Sequence, residues 1–244
     1  MNSKRSMIQR QGGLSLVELM VGIAVGLFVV VGAAKLFADY VVSNKRLMLE
    51  TRVNQDLRAA ADIVARDLRR AGYWNDATAG VWGTGAAAIV ANPHATGAGA
   101  VSSTATSVNY SYARTAAAQL DGLDASEYGG FRQWLVNGVN VLQMQDGQGN
   151  WQAVTDPGTV NITTFSVTTA SPALVNDLSP YCGCLARLTC TLASIAATGT
   201  PPKLTIPSFN IVLTGQSVAD PTIQRTMSET VRVRNASMTG TCPA

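Results

Sequence analysis

The sequence predicts an α+β chain: a long N-terminal helix, apolar in its first half and amphipathic in its second, packed on an antiparallel β-sheet domain. Three observations carry this prediction. Leu14–Ala34 is apolar apart from Ser15 and Glu18, about the length a helix needs to cross a bilayer. No proline precedes Pro93 and no glycine lies between Gly32 and Gly72, so nothing interrupts that helix for a long way past the apolar run. Further along, short segments of alternating apolar and polar residues are separated by polar turns, the pattern of strands.

The first thirteen residues are short, polar and basic, with Lys4, Arg5 and Arg10. Positive charge ahead of an apolar run holds that end in the cytoplasm. A secretory signal has a shorter apolar region followed by a small-residue cleavage site. Here the run is longer, Lys35 follows it, and the small pair Gly12-Gly13 precedes it. Composition alone reads as the signal-anchor of a single-pass protein. Glu18 is the exception to the apolar pattern. A carboxylate inside such a helix costs a few kcal/mol unless it is paired, which makes it a functional candidate. Gly22 and Gly26 form a G-x-x-x-G, read either as a close helix-packing face or as the ordinary glycine content of such helices.

The helix continues beyond the membrane-length run. Leu57, Ala61, Val64, Leu68 and Ala71 recur at four- and three-residue steps as one apolar stripe. Asp62 and Arg66 lie off it as an acid-before-base pair. Arg66, Arg69 and Arg70 followed by Gly72 make a C-terminal stop. A helix over 14–71 would run roughly 85 Å. After it, 77–118 is rich in Ala, Gly, Thr and Ser and reads as a surface connection with one short strand at 107–112. Strands are expected at 138–145 and 151–155, joined by the Asp146–Asn150 turn as a hairpin, and at 161–169, 209–215 and 226–233. That turn resembles a calcium loop only superficially, because the acidic ligand set is missing.

Charge and chemistry exclude several classes. The formal charge is +3 and the sequence pI near 8.8, but three of the cations precede Gly13. From Tyr73 onward there are seven basic and nine acidic residues, so no nucleic-acid partner is expected. The single histidine, His94, lies in an Asn-Pro-His-Ala loop and is expected at the surface. With no nucleophile elbow, P-loop or paired metal-ligating histidines, no catalytic residue, cofactor or metal is expected.

The stretch Gly13-Leu14-Ser15-Leu16-Val17-Glu18-Leu19-Met20-Val21 closely resembles the prepilin cleavage signature of type IV pilins and related pseudopilins. The resemblance implies cutting between Gly13 and Leu14 by a prepilin peptidase, N-methylation of Leu14, and Glu18 as fifth mature residue. It also implies that Glu18 pairs with the N-terminal amine of a neighbouring subunit during assembly. Residues 57–74, ending Arg-Ala-Gly-Tyr-Trp, and Thr230–Asn235 resemble the PilW family of minor pilins. The implied organisation is a leader at 1–13, a transmembrane or filament-core helix at 14–34, an amphipathic helix at 35–72 and a β-rich periplasmic domain at 73–244. The implied partners are other minor and major pilins, the peptidase and the bacterial inner membrane. The implied role is a minor pilin supporting pilus assembly, with a type II secretion pseudopilin or a tip-located binding subunit as alternatives. The resemblance implies a bacterial source, in which the sequons at Asn161 and Asn235 would carry no weight. Cys182, Cys184, Cys190 and Cys242 fall in the domain expected outside the cytoplasm, where disulfides form. A one-residue spacer disfavours a Cys182–Cys184 bridge, so one of these two is read as pairing with Cys190 and the other with Cys242. A zinc site is the alternative from the C-x-C spacing, without the second paired motif it needs.

Overall fold

The computed structural model describes residues 13, 15–77, 91–114, 123–170, 174–178 and 203–239. The chain divides into two units, Met1–Met48 and Leu49–Ala244.

One helix, α1 (Leu16–Leu68), runs from the first unit into the second. Within the first unit its apolar side chains face outward: Leu16, Met20, Leu27 and Val31 are all more than half exposed, and Phe28 reaches 82%. No core in that unit covers them. It is long and apolar enough to cross a membrane.

In the second unit the same helix is amphipathic. Val53, Leu57, Ala60, Ala61, Val64, Ala65 and Leu68 are buried, while Asp62 and Arg66 are exposed, so the stripe read from the sequence is the packed face. The helix ends at Leu68, three residues short of the expected Ala71. Its hydrogen bonds tighten there from Arg69 N–H to the Ala65 carbonyl, to Arg70 N–H on Asp67 and Ala71 N–H on Leu68. Gly72, at φ +73°, then turns the chain away.

Three antiparallel sheets follow. The first is a meander of β1 (Ser102–Ser103), β2 (Ser107–Ser111), β3 (Tyr128–Val136), β4 (Val139–Gln145) and β5 (Trp151–Ala153), in that spatial order. The second places β9 (Ser208–Ser217) between β6 (Val160–Thr169) and β10 (Gln224–Arg232). The third places β8 (Lys203–Ile206) between β7 (Leu174–Asp177) and β11 (Ser237–Thr239). One core joins α1 to the first two sheets, with Val108, Phe131 and Leu142 from the first and Ile162, Phe165 and Leu213 from the second.

Local chemistry explains these pairings. In β6 the buried residues are Val160 and Ile162, then Phe165 and Val167. The register shifts between Ile162 and Thr164, and this one-residue bulge moves the apolar set from even to odd positions while keeping it on the core face. Gly215 lets α1 approach β9: a Cβ there would lie 2.8 Å from Val160 and 3.0 Å from the Leu57 side chain. Polar contacts pin the helix at several heights. Tyr110 donates its hydroxyl to Asp67 (3.0 Å), Thr159 donates to Asp56 (2.8 Å), and Arg225 meets Glu50 at 2.7 Å. Burial pushes the Tyr110 hydroxyl well above its ordinary range, and the neighbouring Asp67 pushes the same way.

The expected hairpin is present, β4 and β5 pairing across the 146–150 loop. Asp146 accepts from Gln148 N–H (3.0 Å) and Asn150 N–H (2.9 Å), which holds its carboxyl below the ordinary carboxylate range. The strands expected at 161–169, 209–215 and 226–233 are β6, β9 and β10, with ends differing by one to two residues.

Two expectations are corrected. The strand expected at 107–112 is β2, but the rest of the described part of 77–118 is not merely a surface connection, since Gly99 and Ala113 are buried there. His94 is likewise buried, at 1% exposure. Asn92 causes this. Its side-chain oxygen accepts from His94 N–H (2.9 Å) and its amide nitrogen donates to the Gly72 carbonyl (2.9 Å), docking the turn on the helix exit. The Ser111 hydroxyl gives its one hydrogen to the Gly99 carbonyl, so at 2.9 Å it accepts from His94 Nδ1–H. Glu127 lies 3.9 Å from the other ring nitrogen, with both side chains sealed from solvent. Burial lowers the His94 pKa from its ordinary value, and the Glu127 carboxylate partly opposes that. Serine, histidine and glutamate together suggest a hydrolase triad in composition alone; here the hydroxyl is engaged and no solvent reaches the group.

Candidate functional site: the start of the long helix

Gly13 is exposed, and a Cβ built on it meets nothing within 4 Å. Leu14 lies outside the described residues. Ser15 precedes α1 and its carbonyl accepts from Leu19 N–H at 3.1 Å, so the helix is hydrogen-bonded from its first turn. Glu18 sits in that turn, exposed. A carboxylate there faces the positive end of the helix dipole, the end at which negative charge is favoured. Gly22 and Gly26 are also exposed with open space around their Cβ positions.

The arrangement has a specific chemical content. An accessible glycine stands three positions before a helix whose first turn carries one acid and whose next four turns, to Ala34, are apolar and exposed. Such a helix needs an apolar surround, either lipid or the equivalent helices of other subunits. Inside it, a carboxylate is tolerable only beside a cation.

Of the residues expected to matter, Gly13 and Glu18 lie within five positions of each other at this helix start. Cys182, Cys184, Cys190 and Cys242 fall outside the described residues. At the other end of α1, the two stretches likened to PilW meet in space. Arg234 N–H donates to the Arg69 carbonyl (3.1 Å), and the Asn235 amide donates to the carbonyls of Arg70 and Ala71 (3.3 Å each). Asn235 therefore caps the helix exit. It lies beyond the strand expected at 226–233, and β10 ends at Arg232.

An uncovered apolar helix opening on Gly13 and Glu18, continuing into an antiparallel β domain, defines a type IV pilin-like prepilin. Two family models match the chain: the prokaryotic N-terminal methylation motif over residues 8–34, and prepilin peptidase-dependent protein B over residues 46–233. The second match covers most of the chain, and the protein belongs to the prepilin peptidase-dependent protein B family. No curated protein and no solved structure matches it.

Proposed function

We propose that this chain is a minor type IV pilin of the PilW kind, a structural subunit without catalysis that supports the initiation of pilus assembly. Prepilin peptidase cuts between Gly13 and Leu14 and Leu14 is N-methylated. Residues 14–34 then hold the protein in the inner membrane, with 35–72 and the β-rich 73–244 on the periplasmic side, until other minor and major pilins take it into the filament. Glu18 meets the N-terminal amine of a neighbouring subunit and sets axial register.

The observation that carries this reading is the uncovered apolar face of α1 with Glu18 in its first turn, under a match to the methylation motif. A chain with these features is built to exchange lipid for other helices. Deleting the gene should sharply reduce surface pili while leaving protein secretion intact, and the complementing chain should appear in sheared filaments. Normal pili with a secretion defect would instead assign the chain to a secretion pseudopilus.

The same reading places all four cysteines in an oxidising compartment, joined as two disulfides. Thiol titration of the denatured, unreduced protein is expected to find no free cysteine. Four free thiols, or zinc in stoichiometric amount, would overturn the pairing.

A further inference from the structure

The two PilW-like stretches build more than a helix cap. Together with the exit of β2 they enclose a pocket of about 520 Å³, lined by Arg69, Arg70, Arg114, Arg234, Tyr73 and Tyr112. After Leu68 the chain has nine basic residues and an acidic excess beyond Tyr73, yet four of those nine converge here. Among the described residues no acidic side chain lines the pocket.

Two of the arginines are partly neutralised from outside the pocket. Arg69 meets Glu229 at 3.4 Å and Arg70 meets Asp67 at 3.8 Å, with both guanidinium side chains about half exposed. Arg114 lies 4.9 Å from the Tyr112 ring centroid and donates to the Tyr128 carbonyl at 3.4 Å, with the Asp146 carboxylate in its electrostatic reach. Arg234 has no side-chain hydrogen bond or ion pair among the described residues. Among these described contacts, four cations face three acids, a modest positive excess in a concave, tyrosine-walled space.

The geometry points to this pocket as a binding site for carboxylate side chains of an acidic segment on another pilin subunit. Arginine alone supplies the charge, and its planar fork matches the two oxygens of a carboxylate. The small residual charge suits one or two carboxylates. A nucleic acid would need basic surface extending beyond the pocket, and the rest of the unit is acidic. A main-chain bond from Arg234 and side-chain bonds from Asn235 to the helix exit hold two of the pocket's walls together, so the site is built before a partner arrives. The inference rests on the proposed assembly role, since it supplies that role with a second contact, remote in sequence from Glu18.

The test uses the full chain in detergent and a labelled acidic peptide, compared with the same peptide carrying amides in place of carboxylates. The acidic peptide should bind, and the amide peptide should not. Arg114→Gln combined with Arg234→Gln should weaken binding roughly tenfold or more, whereas Arg58→Gln, on the exposed helix face, should leave it unchanged. Circular dichroism checks that each variant folds. Equal affinity in the double variant, or no discrimination between the peptides, overturns the proposal. Displacement by inorganic phosphate at comparable concentration, or tighter binding of an oligonucleotide, overturns its assignment to a protein carboxylate. In cells, a double variant that is processed and enters filaments at wild-type levels sinks the pocket's assembly role and leaves the pilin reading standing. A wild-type chain that is never processed sinks the pilin reading, and the peptide titration still decides the pocket.

Discussion

Glu18→Ala is expected to leave processing and membrane insertion intact and to exclude the subunit from filaments. The substitution makes the first turns of α1 more apolar, so insertion should if anything improve. On the assembly role proposed above, what would disappear is the counter-charge for an N-terminal amine on a neighbouring subunit, in surroundings where helices rather than water cover both groups. Leaving one member of a buried ion pair unpaired costs roughly 3–5 kcal/mol, enough to lower incorporation about a hundredfold or more. Glu18→Gln keeps the shape and some hydrogen bonding but not the charge, and should resemble the alanine change. Quantifying the subunit in sheared filaments and counting surface pili measures the effect. Wild-type amounts in either variant would make Glu18 incidental.

Phe131→Ala should produce the largest loss of stability in the second unit. Phe131 is fully buried in β3 and its ring stacks on Tyr110 at 6.3 Å between centroids. The removed ring leaves a cavity between α1 and the first two sheets, for a cost of about 3–5 kcal/mol. Phe28→Ala is the control: Phe28 is 82% exposed on the first unit and has no protein core to lose. Denaturant unfolding of the full chain in detergent, followed by the β-sheet signal, should separate the two. Equal midpoints for both variants would contradict the core described here.

The helix and half of the strands were legible because their periodicity is carried by strongly apolar residues. Leu57, Ala61, Val64 and Leu68 announce their face, and β6 and β9 alternate around Phe165 and Leu213. The strand β3 was missed although it lies at the centre of the first sheet. Its second and third residues are Gly129 and Gly130, a pair that weakens a strand pattern, but a Cβ on Gly129 would meet the Tyr110 ring at 2.9 Å, so glycine there serves a close crossing of strands. The signal that could have found β3 was Asn137-Gly138. Both residues take positive φ, 51° and 83°, in the two-residue turn that joins β3 to β4. The third sheet is made of short strands, β7, β8 and β11, too brief for alternation to show.

At the candidate site, Gly13 and Glu18 could be singled out because a lone carboxylate five positions after a glycine stands out in an apolar run, and the structure places both at the start of α1. The arginine pocket was not. Its arginines are 165 positions apart at the extremes, and tertiary contacts bring them together: Arg234 and Asn235 bond the helix exit, and the exit of β2 bonds Gly72 and Tyr73. His94 was misjudged for a related reason: an Asn-Pro turn signals local shape, while its burial comes from Asn92 docking on Gly72, a contact the local sequence does not show.

The mature N-terminus tests the account most directly. Protein purified from cells that contain prepilin peptidase, examined by intact mass and N-terminal sequencing, should begin at Leu14 carrying one added methyl group, and protein from cells lacking the peptidase should retain Lys4–Gly13. A chain that keeps Lys4–Gly13 in the presence of the peptidase, or one cut after the apolar run near Lys35, would contradict the prepilin mechanism.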